Sequence, residues 1–179
     1  DQIFVTGNLG DSAMGLKILR EKIKKLGSIK HKNTLVKNHL EPIPRVKESS
    51  LLARSKLKIT SMIDISDGLT QDLGHLSTEN NLGANLYEDR LPASKALLNV
   101  CFQKKYNPID WILQGGEDYE LLFTIKPEDV KKLEKLFLKA NVFVSHIGEI
   151  TKSPKKIILI TGNGSKVPLR VATGFNHFK

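Results

Sequence analysis

Two aspartates three residues apart form the segment of this sequence with the most evident chemistry. Asp64 and Asp67 lie in the stretch Met62–Leu69, with Ser66 between them, where a strand-like run ends and a helical pattern begins. Hard cations such as Mg²⁺ prefer oxygen ligands, usually one or two carboxylates together with substrate phosphates. The start of a helix also offers backbone N–H groups to phosphate oxygens. The spacing therefore predicts a metal and phosphate site, and the alternative is a helix N-cap at Ser66 or Asp67 beside a solvated Asp64.

A second acidic segment follows a glycine pair in the stretch Gln114–Phe123. Glu117, Asp118 and Glu120 place three carboxylates within four positions. Like charges so close together repel each other unless a cation or a donor-rich ligand compensates them. The segment therefore suggests a ligand site, and the alternative is a tight turn into an edge strand with exposed acids.

Two further segments have weaker signals. The glycine-spaced stretch Val5–Gly15 resembles a phosphate loop in outline, but it matches neither established phosphate-loop pattern, so a structural role is expected. The tail Thr173–Phe178 holds two aromatic rings, which can stack on a flat heterocycle or cover the end of the core. Nucleophilic catalysis has little support, because Cys101 lies in an apolar helical stretch and no serine stands in a nucleophile elbow.

The charge distribution separates the acidic middle of the chain from its basic ends. The 179 residues have a net charge of +9, yet residues 61–125 hold only four basic and ten acidic side chains. The excess lysines lie in helical stretches where a solvated face explains them. No nucleic-acid-binding motif is present, so no nucleic-acid partner is expected, although a basic nucleic-acid-binding module stays open as an alternative. The lack of a long apolar run and the single cysteine indicate a cytoplasmic protein with no membrane segment.

Alternating strands and helices must position these segments. We expect one domain of the α/β class, a layered sandwich of a mixed sheet with helices. The region 28–55 is hard to interpret, with at most a helix over Asn33–Asn38. The predicted strands are Gln2–Thr6, Ile59–Asp64, Ala84–Glu88, Tyr119–Ile125, Val142–Ile147, Ile157–Ile160 and Lys166–Leu169. The predicted helices run from Ser12 to Leu26, from Leu69 to Glu79, from Ser94 to Tyr106 and from Pro127 to Ala140.

Taken together and in this order, the segments resemble the C-terminal domain of thiamine-monophosphate kinases, in the aminoimidazole ribonucleotide synthetase superfamily. The match spans essentially the whole chain. The residues that carry it are Val5–Leu16, His39–Val46, Met62–Leu69 with Asp72, His75 and Leu76, Gly115–Phe123 and Gly174–Phe178.

The resemblance implies a C-terminal α/β domain, partly ferredoxin-like in topology, that occupies residues 1–179 of a two-domain kinase. An N-terminal domain that binds ATP and metal would precede Asp1, and the parent would dimerise through it. The implied reaction is ATP- and Mg²⁺-dependent phosphorylation of thiamine monophosphate to thiamine diphosphate by direct in-line transfer. The isolated domain is expected to be inactive. Another ATP-dependent member of the superfamily is the alternative among enzymes.

Residue roles follow from the same resemblance. Asp64 and Asp67 would hold Mg²⁺, and Ser66 would contact ATP. Glu117 would bind the aminopyrimidine of the substrate, and Phe175 would stack on its ring system. Phosphoryl transfer of this kind depends on positioning and charge neutralisation, so no covalent nucleophile is required.

Overall fold

A computed structural model describes residues 1–21, 23 and 28–171 of the chain. Its described part forms a seven-stranded sheet with helices on both faces, which confirms the α/β class and the mixed sheet. The strands are β1 (Gln2–Thr6), β2 (Ile59–Asp64), β3 (Gly83–Tyr87), β4 (Leu121–Ile125), β5 (Val144–Thr151), β6 (Ile157–Ile160) and β7 (Lys166–Leu169). The helices are α1 (Asp11–Arg20), α2 (Ile29–Leu40), α3 (Val46–Arg54), α4 (Leu69–Glu79), α5 (Lys95–Lys104), α6 (Pro108–Gln114) and α7 (Val130–Lys139).

The sheet has the strand order β2-β4-β1-β5-β3-β6-β7. Neighbouring strands are antiparallel except for β3 and β6, which pair in parallel. The connections β2-α4-β3 and β4-α7-β5 each join two strands of the same direction that are separated by other strands, as in the split β-α-β units of ferredoxin-like folds. This order places β2 and β4 side by side, so the segment after β2 and the segment before β4 meet at the same end of the sheet.

The side chains of β1, an interior strand between β4 and β5, alternate between the two faces of the sheet and divide the hydrophobic core between them. Ile3 and Val5 face a large cluster formed with α1, α2, α4, α5 and α6. Phe4 faces a smaller cluster that contains Leu52 of α3 and Phe137 of α7. Successive side chains of a strand point to opposite faces, so the consecutive apolar residues Ile3, Phe4 and Val5 are what a strand covered on both sides requires.

The structure departs from the predicted elements where tertiary packing replaces a local pattern. Helix α1 ends at Arg20, because the chain closes a wide turn in which the N–H of Ile23 donates to the carbonyl of Ile18 at 3.2 Å. Ile23 still packs against the core, which explains why its spacing suggested a longer helix. The rest of that predicted extension, to Leu26, falls outside the described residues.

Helices α2, α3 and α6 were missed or underestimated. Only Leu35 of α2 is buried, so its apolar pattern is too sparse to predict its full length. Helix α5 ends at Lys104, before the predicted end at Tyr106, and Asn107 and Pro108 begin α6, with Pro108 in the first turn and the Asn107 side chain accepting the N–H of Ile109. In the part of the chain that the structure describes, no helix has the length and apolarity needed to span a membrane.

Helix α1 lies directly against α2 at Gly15. A Cβ at this position would overlap the carbonyl of Leu35 and lie 3.0 Å from Cβ of His39. Replacing glycine by alanine inside a helix normally stabilises it by about 0.5–1 kcal/mol. At Gly15 we expect the opposite, a loss of about 1–3 kcal/mol in the free energy of unfolding, because the two helix backbones must separate.

Urea unfolding of Gly15→Ala and Gly162→Ala tests this expectation. A Cβ added at Gly162 would have nothing within 4 Å, so this variant is the matched control and should unfold like the parent protein. Equal midpoints for both variants would contradict the close contact between α1 and α2.

Candidate active site

The turn between β2 and α4 is held by one buried carboxylate. Oδ2 of Asp72 accepts the backbone N–H groups of Ser66, Asp67 and Gly68 at 3.0, 3.1 and 3.1 Å. Burial raises the pKa of Asp72, while these hydrogen bonds favour its ionised form. Gly68 is the N-cap residue of α4 and no side chain caps it, so the N-cap alternative for Ser66 and Asp67 is wrong. Both side chains are thereby left available for other contacts.

The aspartates of the first motif lie at the two ends of this turn and are exposed. Asp64 makes no side-chain hydrogen bond or ion pair with any described residue, and Asp67 accepts one hydrogen bond from the amide of Gln71 at 3.1 Å. Ligand atoms of Asp67, Asp72 and His75 lie within 4.8 Å of one another, a group that does not include Asp64. Exposed carboxylate oxygens with few protein partners fit the needs of Mg²⁺, which usually keeps several waters and uses one or two carboxylates.

The second acidic segment is bound to this turn by backbone hydrogen bonds. The N–H of Glu117 donates to the carbonyl of Ser66 at 2.7 Å, and the N–H of Tyr119 donates to the carbonyl of Ile65 at 2.9 Å. The N–H of Ile65 returns a bond of 2.8 Å to the carbonyl of Glu120. The structure therefore brings Ser66 and Glu117 together, although they are far apart in the sequence.

Backbone geometry in the second segment is unusual for the residues that adopt it. Glu117 and Tyr119 have φ angles of 63° and 51°, in the left-handed region that favours glycine. A Cβ at Gly116 would lie 2.6 Å from the carbonyl oxygen of Ser66, so only glycine permits this approach. The turn at Tyr119 also explains why β4 begins at Leu121 instead of Tyr119.

The three clustered acids of the second segment have different environments. Glu120 is buried, accepts a hydrogen bond from the hydroxyl of Thr6 at 2.6 Å and forms a bidentate ion pair with Arg45. Asp118 accepts the backbone N–H groups of Gly10 and Ser12 at 2.6 and 3.1 Å. It thus caps the start of α1 from a distant part of the chain. The alternative of exposed acids entering an edge strand is wrong, because β4 lies between β2 and β1.

Burial raises the pKa of Asp118 to about 7, and the nearby charges of Asp11 and Glu120 add to the shift. The two backbone N–H groups act in the opposite direction without cancelling the effect of burial. Asp11 is itself buried, and the same cause raises its pKa. A cavity of about 100 Å³ is lined by one guanidinium, that of Arg45, and by four carboxyl groups, those of Asp11, Glu41, Asp118 and Glu120.

Glu117 is the acid of this segment that reaches solvent. Its side chain is 54% exposed, and Oε2 lies 3.3 Å from Nδ1 of His39. A second cavity, of about 320 Å³, adjoins the other motif and is lined by Asp67, Thr70, Gln71, Leu113, Gln114 and Arg170. Asp67 thus lines a cavity, and Glu117 is exposed to solvent.

Sequence reasoning gave no role to Asp72 or Arg45 and named Asp118 only as one of three clustered acids, although all three residues lie in segments that carry the resemblance. Their roles depend on partners distant in the chain or on backbone N–H groups, which side-chain types do not reveal. Phe175 lies outside the described residues, and its predicted stacking role stays a prediction. Cys101 is buried, and its thiol pKa is raised to about 11, as expected for a structural cysteine.

Comparison with known proteins places this geometry in a family. The family model described as AIR synthase related protein, C-terminal domain, matches residues 1–160. The chain belongs to this family. The AIR synthase related assignment confirms the superfamily that the motifs indicated.

Among members of known name, this AIR synthase related chain is similar to thiamine-monophosphate kinases. It is 41% identical over 178 residues to the enzyme of Buchnera aphidicola subsp. Schizaphis graminum, and 35% identical over 178 residues to that of Escherichia coli K12. These matches cover 99% of this chain but 53% and 52% of the relatives. The chain therefore spans about half the length of the curated relatives it matches.

Solved structures agree with the sequence comparison. The thiamine-monophosphate kinase of Stenotrophomonas maltophilia K279a matches with a TM-score of 0.77 and 30% identity, over 93% of this chain and 51% of that one. AaThiL complexed with AMPPCP and TMP matches with a TM-score of 0.76 and 30% identity, over 93% and 48%. The hydrogenase maturation protein HypE of Escherichia coli has a TM-score of 0.74 at 17% identity, over 95% and 49%, and shares the fold.

The raised pKa of Asp118 predicts how stability depends on pH. The unfolded chain releases this proton near pH 4, whereas the folded chain holds it until about pH 7, so ionisation of Asp118 disfavours folding across this range. We expect the free energy of unfolding to fall between pH 5 and 7, with a contribution from Asp118 of at most about 1.4 kcal/mol per pH unit.

Replacing Asp118 by Asn keeps an oxygen that can accept the N–H groups of α1 and removes the titration. Urea unfolding at pH 5, 6 and 7 should therefore show a flatter pH dependence for Asp118→Asn than for the parent. Asp89→Asn, at an exposed acid outside the site, is the control and should keep the parent's slope. Parallel slopes for all three proteins would show that Asp118 titrates normally.

Proposed function

We propose that this chain is the C-terminal part of a two-domain thiamine-monophosphate kinase. The observation that carries the proposal is the set of backbone hydrogen bonds that joins the turn of Asp64, Ser66 and Asp67 to the loop of Glu117. This arrangement puts oxygen ligands for a metal beside a carboxylate suited to an amine. The similarity to thiamine-monophosphate kinases over 99% of the chain supports the same assignment.

The proposed substrates are thiamine monophosphate and ATP. Relatives that match almost the whole chain are thiamine-monophosphate kinases, and a similar structure holds AMPPCP and TMP. Glu117 would accept hydrogen bonds from the aminopyrimidine, because an ionised carboxylate is an acceptor only. Ser66 would contact the nucleotide through its hydroxyl, and Phe175 would stack on the substrate's rings.

Asp64 and Asp67 would hold Mg²⁺, which supplies charge neutralisation at the phosphates during in-line transfer. The protein's contribution is to hold these groups rigidly. Asp72 fixes the turn by three hydrogen bonds, and the Glu117 loop is bound to the turn at both ends. Fixed groups need no reorganisation when charge develops, and this is the main advantage of such a site. No covalent nucleophile is needed, in agreement with the buried Cys101.

The parent protein would carry further metal and nucleotide ligands in an N-terminal domain and would dimerise through it. This part of the proposal rests on the relatives, which are about twice as long as the matched region. A cytoplasmic location stays a prediction from the single cysteine. The alternative of a nucleic-acid-binding module is less consistent with the candidate site. The two loops of the site lie in the acidic region 61–125, whose negative charge would repel phosphates.

Replacing Asp64 by Asn in the full-length enzyme should lower kcat/KM for thiamine monophosphate by about 100-fold or more. The neutral amide is a poor ligand for Mg²⁺, and several kcal/mol of charge stabilisation depend on the metal. The same variant should need more Mg²⁺ to reach half of its maximal rate.

Coupled assays of thiamine diphosphate formation across a Mg²⁺ series would measure both effects. Asp89→Asn makes the same chemical change at an exposed position outside the site and should behave like the parent. A near-normal rate and Mg²⁺ requirement for Asp64→Asn would contradict the assignment of this residue.

The 179 residues alone should form no measurable thiamine diphosphate from thiamine monophosphate, ATP and Mg²⁺. The proposed N-terminal domain supplies the remaining ligands, so the metal site would be incomplete without it. Circular dichroism should show that the isolated chain is folded under the assay conditions. Steady turnover by this chain would show that the described residues hold a complete active site.

A further inference from the structure

His39 contacts the exposed acid of the second motif from a different part of the chain. It stands in the last turn of α2, and its Nδ1 lies 3.3 Å from Oε2 of Glu117 and 3.0 Å from Oγ of Ser12. The His39 side chain is 15% exposed, whereas that of Glu117 is 54% exposed. A largely enclosed imidazole thus holds one oxygen of an accessible carboxylate.

The position of His39 is fixed by packing on its other side. Its Cβ lies beside Gly15 of α1, where α2 packs against α1. Ser12 is buried, and its backbone N–H is bound to Asp118. The imidazole therefore rests on a rigid surface and has little freedom to follow Glu117 if that side chain moves.

The chemistry of the contact defines what His39 donates. Nδ1 of His39 lies within ion-pair distance of Oε2 of Glu117 and makes its hydrogen bond with Oγ of Ser12; because an ionised carboxylate can only accept, the attraction to Glu117 requires a proton on Nδ1. Ser12, whose hydroxyl can donate or accept, adjusts to either state of the ring. Oε1 of Glu117 has no partner among the described residues and is left to accept a hydrogen bond from a ligand amine.

We infer that His39 is a positioning residue that orients the Glu117 carboxylate toward the amino group of the substrate. The inference rests on the proposed function, in which Glu117 recognises an aminopyrimidine. A carboxylate that rotates freely must be ordered when the ligand binds, and this ordering costs part of the binding free energy. A carboxylate that is already fixed therefore discriminates better between a ligand with an amine and a ligand with an oxygen at the same position. His39 would then set selectivity for amine-bearing substrates without touching them.

Two substitutions of similar size separate positioning from folding. His39→Asn keeps an amide N–H close to the place of Nδ1, whereas His39→Gln moves its donor farther from the backbone. The full-length enzyme would be assayed with thiamine monophosphate and with the analogue that has a carbonyl oxygen in place of the pyrimidine amine. His31→Ala is the control on the same helix, because Nδ1 of His31 has no hydrogen-bond partner among the described residues.

We expect His39→Gln to raise KM for thiamine monophosphate about 10-fold with kcat nearly unchanged, and to reduce the preference for the amine by a similar factor. His39→Asn should have a KM close to that of the parent and should keep most of the preference for the amine. His31→Ala should have the same KM and the same preference as the parent. A His39→Gln enzyme that keeps the full preference, or a His39→Asn enzyme that loses as much as His39→Gln, would overturn the inference.

Glu117→Gln distinguishes the failure of this inference from that of the proposed function. If Glu117→Gln abolishes the preference while His39→Gln keeps it, Glu117 acts without His39 and the proposed function stands. If Glu117→Gln itself keeps the preference, Glu117 does not read the amine, and the substrate assignment falls together with the role of His39.

Discussion

Three backbone hydrogen bonds between the Ile65–Ser66 turn and the Glu117–Glu120 loop hold the candidate site together. They can form because β2 and β4 are neighbours in the sheet and because Gly116 leaves room for the carbonyl of Ser66. Backbone bonds of this kind do not depend on side-chain identity, so the exposed side chains of both loops stay free for ligands. The two halves of the candidate site, one proposed to bind metal and the other substrate, are in this way one rigid unit.

Buried charged side chains connect this unit to the helices that pack around it. The ion pair of Arg45 and Glu120 ties the start of α3 to the loop, and Asp118 ties the same loop to the start of α1. Placing the carboxyl groups of Asp11, Asp118 and Glu120 near a single guanidinium, that of Arg45, is unfavourable, because desolvation disfavours each charge. The backbone N–H groups of α1 at Asp118 and the guanidinium of Arg45 at Glu120 offset part of this cost.

The sequence was sufficient to predict strands and helices with strong periodicity. The bounds of β1, β2, α4, β6 and β7 were predicted correctly, because alternation, a helical stripe or a clear turn marks each of them. Helix α2 was underestimated, since packing on Gly15 holds it and its own apolar pattern is sparse. The exposed members of the site, Asp64, Ser66, Asp67 and Glu117, could be proposed from residue type and resemblance. The capping of α1 by Asp118 and the bonds of Asp72 to the turn before α4 could not, because backbone N–H groups are the same in every residue.

The clustered acids of the loop also have a consequence for how this protein can change. Glu117 faces solvent, Asp118 caps a helix and Glu120 pairs with Arg45, so neighbouring positions serve three unrelated tasks. A substitution at one of these positions changes only one environment. An inserted or deleted residue would shift all three side chains out of their environments at once. The length of this loop is therefore more constrained than its composition.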